Sequence, residues 1–307
     1  MRTLGTISAG GCVLLATLLA SCTIGPEELE AGESAGVASY PSVADLGDAS
    51  GLDALLPDGE LEVAWVRAQD HAESQGVEAV VDDDGDEVVA ADDAVLLVVA
   101  WQVGLGEPGT PAAVGEATVG DPAVELVLIS GGVRTVLSPE EATLVQGSAL
   151  VAVVDENDVM LEVTFDGVTQ SVGPGGEIRE VPERAAVLYD EIPTSETSID
   201  CRPAELQPFC RADIAWLPWV ASQGWAPDGQ LWPVVRVEGR VPGGTGTPSL
   251  TTTLDGSPPL EATDTEIGAG RFQQLAIYPA VVPGPEVLRI EAAAGDVSIT
   301  GRGDLRP

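Results

Sequence analysis

The 307-residue chain contains no lysine, one histidine (His71) and one asparagine (Asn157). Without lysine, Schiff-base and Ser-Lys mechanisms are absent. One imidazole cannot supply a zinc site, and it leaves a single way to build a Ser-His-Asp arrangement. His71 lies in Gln69–Glu73 (QDHAE), a polar stretch that reads as an exposed loop, and no serine is marked by a nucleophile elbow. All 13 basic residues are arginine, against 50 Asp+Glu, for a formal charge of −37. A joint shortage of Lys and Asn fits GC-rich codon usage. The charge excludes more. Nucleic-acid binding releases counterions to Lys and Arg contacts, and so negative a surface repels phosphate at long range. Nor is there a polybasic patch for an anionic membrane. Disorder is excluded from the other side: 44% apolar residues and a mean hydropathy of +0.18 are too hydrophobic for a solvated acidic polymer. A chain of this length makes two domains, each with its own core.

What is present begins with an address. Arg2 forms a short positive region and Val13–Ala20 (VLLATLLA) an apolar run too short for a permanent membrane span. Leu19-Ala20-Ser21-Cys22 resembles the bacterial lipobox. That resemblance implies cleavage after residue 21, diacylglycerol on the Cys22 thiol, and a mature chain held at the outer face of the cytoplasmic membrane. Two acyl chains anchor firmly, since each buried CH₂ contributes about 0.8 kcal/mol. Residues 22–59 are rich in Glu, Gly, Ala, Ser and Pro without sustained periodicity, and read as an acidic flexible tether. As a coil it would span about 35 Å.

Beyond the tether the pattern is all β. Leu161, Val163 and Phe165 alternate with Glu162 and Thr164. In Val95–Val103 both alternating faces are apolar, as expected for a central strand covered on both sides. Turn dipeptides recur in order: Gly131-Gly132 matches Asp255-Gly256, and Asp166-Gly167 matches Gly295-Asp296. Pro139–Thr143 (PEEAT) agrees with Pro259–Thr263 (PLEAT) at four of five positions, and Val95–Val103 corresponds to Trp232–Val241. Residues 60–182 and 183–307 are therefore expected to be a tandem pair of β-sandwiches.

The lipobox, the acidic stretch and this turn set, with Asp166–Val172 (DGVTQSV), Gly224–Gly229 (GWAPDG) and Trp232, resemble actinobacterial surface lipoproteins with immunoglobulin-like domains. The resemblance implies two tandem immunoglobulin-like sandwiches and an extracytoplasmic location. It supplies no catalytic residues.

Five groups of residues invite a functional reading. Cys201 and Cys210, outside the cytoplasm, are expected to form a disulfide, stabilising by about 2.5 kcal/mol on a chain-entropy argument. Trp216, Trp219, Trp225 and Trp232 fall within 17 residues just after it. Trp219 and Trp225 could offer an aromatic binding face, or could pack beneath their loop while Trp216 and Trp232 fill the core. Asp82, Asp84 and Asp86 suggest calcium, but Glu87 and Asp93 stand where an EF-hand needs Gly and Glu, so an acidic hairpin turn is the simpler account. Gly104–Gly109 (GLGEPG) fits a dinucleotide fingerprint, yet Pro108 and Pro111 forbid the helix it requires. Arg302-Gly303-Asp304 is a chance tripeptide at a terminus.

The expected function is a non-catalytic binding or scaffold module of the cell envelope, without cofactor, touching the membrane through Cys22 and an envelope protein or glycan through its domains. Two alternatives are an accessory hydrolase or carbohydrate-active protein working through paired carboxylates and a calcium-dependent adhesin.

Overall fold

Residues 26–37, 41–47, 49–57, 59–105, 124–138, 146–174, 178–266 and 270–307 are described by the computed structural model of the chain. The signal segment, Cys22 and the first half of the PEEAT/PLEAT match lie outside them.

In the first unit, β1 (Glu27–Leu29), β2 (Ser34–Ala35), β3 (Ser50–Leu56) and β4 (Gly59–Arg67) precede the helix α1 (Ala68–Gln75). Then come β5 (Val88–Ala90), β6 (Val95–Leu105), β7 (Val124–Ser130), β8 (Val133–Ser138) and β9 (Gln146–Val153). The unit ends with β10 (Val159–Phe165), β11 (Val168–Val172) and β12 (Ile178–Glu180). One sheet has the order β2-β9-β6-β4-β3 and the other β12-β11-β10-β7-β8. The alternation in β10 does what the pattern predicts: Leu161, Val163 and Phe165 are fully buried, while Glu162 and Thr164 lie on the other, half-exposed face. Leu61, Val99 and Val151 of the first sheet meet Leu126, Leu161 and Phe165 of the second in one core.

Strand β6 is apolar on both faces because both are covered. Leu97, Val99 and Trp101 point into the sandwich; Leu96, Val98 and Ala100 point outward. The outward face is covered by Leu29, Val37 and Leu46, together with Ala68 of α1 and Val88 of β5. This corrects the tether. Residues 50–56 pair with β4 along their length, β2 extends the sheet at β9, and β1 runs parallel to β5. A Gly- and acid-rich composition hid a few apolar anchors, each worth about 1.5–3 kcal/mol when buried. His71 is also corrected: it stands on α1, not in a loop. Ala68 and Ala72, four apart, bury one side of that helix. Gly76 ends it at φ 73°, a left-handed conformation that favours glycine.

The second unit holds β13 (Thr194–Ser198), β14 (Asp200–Arg202), β15 (Phe209–Leu217), β16 (Trp219–Val220), β17 (Gly224–Trp225) and β18 (Trp232–Arg240). It continues with β19 (Ser249–Leu254), β20 (Glu261–Glu266), β21 (Arg271–Ile277), β22 (Glu286–Ala294) and β23 (Val297–Leu305). Its sheets are β13-β15-β18-β21-β20 and β14-β23-β22-β19, with β16 and β17 as a separate hairpin. The two units repeat each other. The order β4-β6-β9 recurs as β15-β18-β21, and β7-β10-β11 as β19-β22-β23, so β6 and β18 occupy the same place. Asp166-Gly167 and Asp255-Gly256 hold positive φ at both residues, 46° and 74° in the first and 46° and 82° in the second. Such primed turns match the strand twist of a tight hairpin.

Cys201 and Cys210 are bonded, with Cα atoms 6.2 Å apart, and both lie in the second core beside Ile199 and Leu288.

Candidate functional site

The tryptophans proposed as a binding face are instead the bolt between the two units. Chain leaving β15 at Pro218 turns back through the β16–β17 hairpin, where Trp219 pairs with Trp225. This short ribbon leans on the first unit. Trp219 is 3% exposed and belongs to the first core, against which Trp225 also packs. The Phe165 ring meets them edge-on, 5.1 Å from Trp219 and 6.0 Å from Trp225, at interplanar angles of 80° and 83°. Such pairs contribute about 0.5–1.5 kcal/mol beyond their burial. Both indole nitrogens are used: Trp219 Nε1 donates to Asp166 Oδ2 at 2.7 Å, and Trp225 Nε1 to the Phe165 carbonyl at 3.0 Å. Trp232 Nε1 donates to the Gly224 carbonyl at 3.0 Å, tying the hairpin to β18. Trp216 is fully buried in the second core. The physical reason for the correction is that an indole needs apolar cover and one acceptor, and the β10–β11 turn supplies both.

A second knot lies beside the bolt, and nothing in the sequence marked it. Ala185 and Leu188, in the helical turns Glu183–Ala186 and Val187–Tyr189, pack on Val168 and Leu55 of the first unit. The Tyr189 hydroxyl donates to Gln170 Oε1 at 2.8 Å and accepts from the Leu55 amide at 3.2 Å. Gln170 Nε2 in turn donates to the Leu55 carbonyl at 3.1 Å. Burial holds the Tyr189 phenol above its usual range, opposed by the bond from Leu55. The segment that opens the second half of the sequence is thus packed against the first unit.

Among the acidic candidates, Asp82, Asp83 and Asp84 place carboxylate oxygens within 4.8 Å of one another, while Asp86 stands outside that group. Asp82 is spent on the turn itself. Its Oδ1 accepts from the Asp86 amide at 2.8 Å, and its own amide donates to the Asp86 carbonyl at 3.0 Å. A bridge between Val81 and Glu87 closes the base, so the stretch is the acidic hairpin turn expected from its flanking valines.

Among the described residues, two pairs of carboxylates stand close together elsewhere. Glu286 is 8% exposed, and burial, then its hydrogen bond and repulsion with Asp255, push it up to about 7. Asp255 Oδ1 also accepts from the Val287 amide at 2.8 Å, so the pair closes the end of β22 against the β19 turn. Asp53, raised by burial and then by Glu62 directly across from it, makes a second pair on β3 and β4. Glycosidase carboxyls stand about 5–9.5 Å apart with substrate or water between them; Asp255 and Glu286 instead share a hydrogen bond.

One groove of about 190 Å³ opens beside Trp101, lined by Ser42, Gln102, Gln146 and Ser148. Gly147 makes room for the indole, since a Cβ there would stand 2.3 Å from the Trp101 ring. The groove is smaller than the roughly 300–1,000 Å³ of small-molecule pockets, although the Ser148 hydroxyl within it is buried without a partner. Among the described residues no helix is long and apolar enough to cross a membrane. Comparison with family models and with curated proteins finds no match for this chain.

Proposed function

We propose that this protein is a non-catalytic binding or scaffold module of the cell envelope, held at the outer face of the cytoplasmic membrane by diacylglycerol on Cys22. In this reading each unit is an immunoglobulin-like sandwich. Support comes from the strand order of the second unit. With β15, β18, β21 and β20 taken as A, B, E and D, and β19, β22 and β23 as C, F and G, the order is that of constant-type immunoglobulin domains.

The observation that carries the functional reading is the bolt itself. Trp219, Trp225 and Tyr189 spend their apolar surface and their polar atoms on coupling the two units, which suits a stiff presenter of outer faces and loops. Two assays test it. Radiolabelled palmitate should enter the wild type and not Cys22→Ala; equal labelling of both ends the anchoring claim. The full-length protein, immobilised and exposed to envelope extract, should retain a defined protein or glycan at physiological salt; retention no greater than on a blank support counts against the module reading.

A further inference from the structure

The outer face of the sheet β13-β15-β18-β21-β20 gathers Arg211, Arg236, Arg240 and Arg271, four of the 13 basic residues of the chain. The inner positions of these strands are Cys210, Val237 and Phe272, all buried, so the residues between them face outward. In two rows of this face the guanidinium is held by neighbouring side chains. Arg211 pairs with Glu238 at 3.0 Å and with Glu196 and Asp213 at 3.3 Å, and Arg236 donates to Gln273.

The row at the end of the sheet is different. Phe209, Arg240 and Arg271 stand directly opposite one another on β15, β18 and β21. Phe209 is 59% exposed and both arginines are exposed. Neither guanidinium has an ion-pair partner among the described residues. Adjacent strands lie about 4.8 Å apart, so the two cations sit side by side within a row about 10 Å wide. Like charges directly opposite destabilise a sheet. In a chain with 50 acidic residues, an acid nearby would be the easy remedy. The other cross-strand arginine pair, Arg289 and Arg302, has it: Asp304 lies 3.7 Å from Arg302, and Asp200 stands across from it.

We propose that the Phe209–Arg240–Arg271 row binds the oxyanion-bearing sugar of an acidic glycan, the two guanidinium forks taking the carboxylate and the Phe209 ring the apolar face of the pyranose. Paired forks match a planar oxyanion bidentately, with charge-assisted bonds. A glycan is favoured over an acidic peptide because the row crosses three strands that are each already paired on both sides. The edge strands of this sheet are β13 and β20, not the three strands of the row, so recognition here rests on side chains rather than on the main-chain ladder that extended peptides use. The strong negative field of the rest of the chain limits the ligand to a short local anion and repels long polyanions. The proposal rests on the reading of the protein as an exported envelope module and names the ligand class of that module.

The test uses the full-length protein titrated with short galacturonic acid oligomers, neutral galactose oligomers of equal length, inorganic phosphate, and a glutamate peptide of matched charge. Saturable uronate binding is expected, weakened about tenfold or more in Arg240→Ala/Arg271→Ala and severalfold in Phe209→Ala, with a Tm no lower than the wild type's in the double variant, where the opposed charges are gone, and unchanged in Phe209→Ala. Equal uronate affinity in wild type and double variant overturns the site. Phosphate or the glutamate peptide binding as tightly as the uronate overturns the ligand class. A flat uronate titration with envelope capture intact overturns this site alone, whereas loss of both removes the module reading as well.

Discussion

Trp219, in the second unit, donates its indole N–H to Asp166 of the first unit at 2.7 Å, across 53 positions of sequence. That bond lies at the edge of the first core, where Phe165 packs edge-on against the same indole. A residue of the second unit thereby completes the interior of the first.

Trp219→Ala is expected to lower stability by about 3–5 kcal/mol through lost burial and the cavity left behind. It should also split a single denaturant transition into two. Trp219→Phe keeps most of the packing and removes only the bond to Asp166, an exposed carboxylate that water then hydrates, costing about 0.5–1.5 kcal/mol with the transition still single. Equilibrium urea unfolding followed by fluorescence and circular dichroism checks both; coincident single transitions in Trp219→Ala would show that the coupling of the units does not depend on Trp219.

Tyr189→Phe removes one hydroxyl that serves Gln170 and the Leu55 amide together. Gln170 is fully buried, so its Oε1 is left without that donor. A loss of about 1–3 kcal/mol is expected. An unchanged urea midpoint would mean that water replaces the hydroxyl.

Glu286 makes stability fall as pH rises from about 4.5 to about 7. Its folded pKa of about 7 lies above the ordinary 4.5, so the folded state holds the proton more tightly than the unfolded chain. The group costs nothing below its ordinary value; the penalty grows as pH rises to about 7 and is complete above it, at roughly 3 kcal/mol. Glu286→Gln should remove this slope and be more stable than the wild type at pH 8. Melting curves at pH 5 and pH 8 decide it, and parallel shifts in both proteins would remove the assignment.

Deleting residues 23–48 separates a cover from a tether. If Leu29, Val37 and Leu46 shield the outward face of β6, the truncated protein loses about 5 kcal/mol and exposes Val98 and Leu150 to solvent. A fluorescent hydrophobic dye should then bind it. A tether would come off with the melting temperature and dye binding unchanged.

Local chemistry made some of this legible in one dimension. The period-two burial of Leu161, Val163 and Phe165 follows from the pleat alone, and the Asp166-Gly167 and Asp255-Gly256 turns follow from which residues tolerate positive φ. The Cys201–Cys210 bond joins residues nine apart. The two apolar faces of β6 even announced that something had to cover both. The identity of the cover was not legible, because Leu29 and Leu46 are isolated in polar surroundings and carry no period of their own.

The roles of the tryptophans and arginines were set by contacts between distant parts of the chain. An indole is equally suited to a ligand face and to a core, and the choice for Trp219 depended on a turn 53 positions away. Arg240 and Arg271 are 31 positions apart in sequence and become neighbours only through the register of β18 and β21. Sequence determined the faces of each strand because side-chain direction is a local property of the backbone. Which faces meet, and which charges end up side by side, is set by long-range pairing and packing that no local pattern encodes.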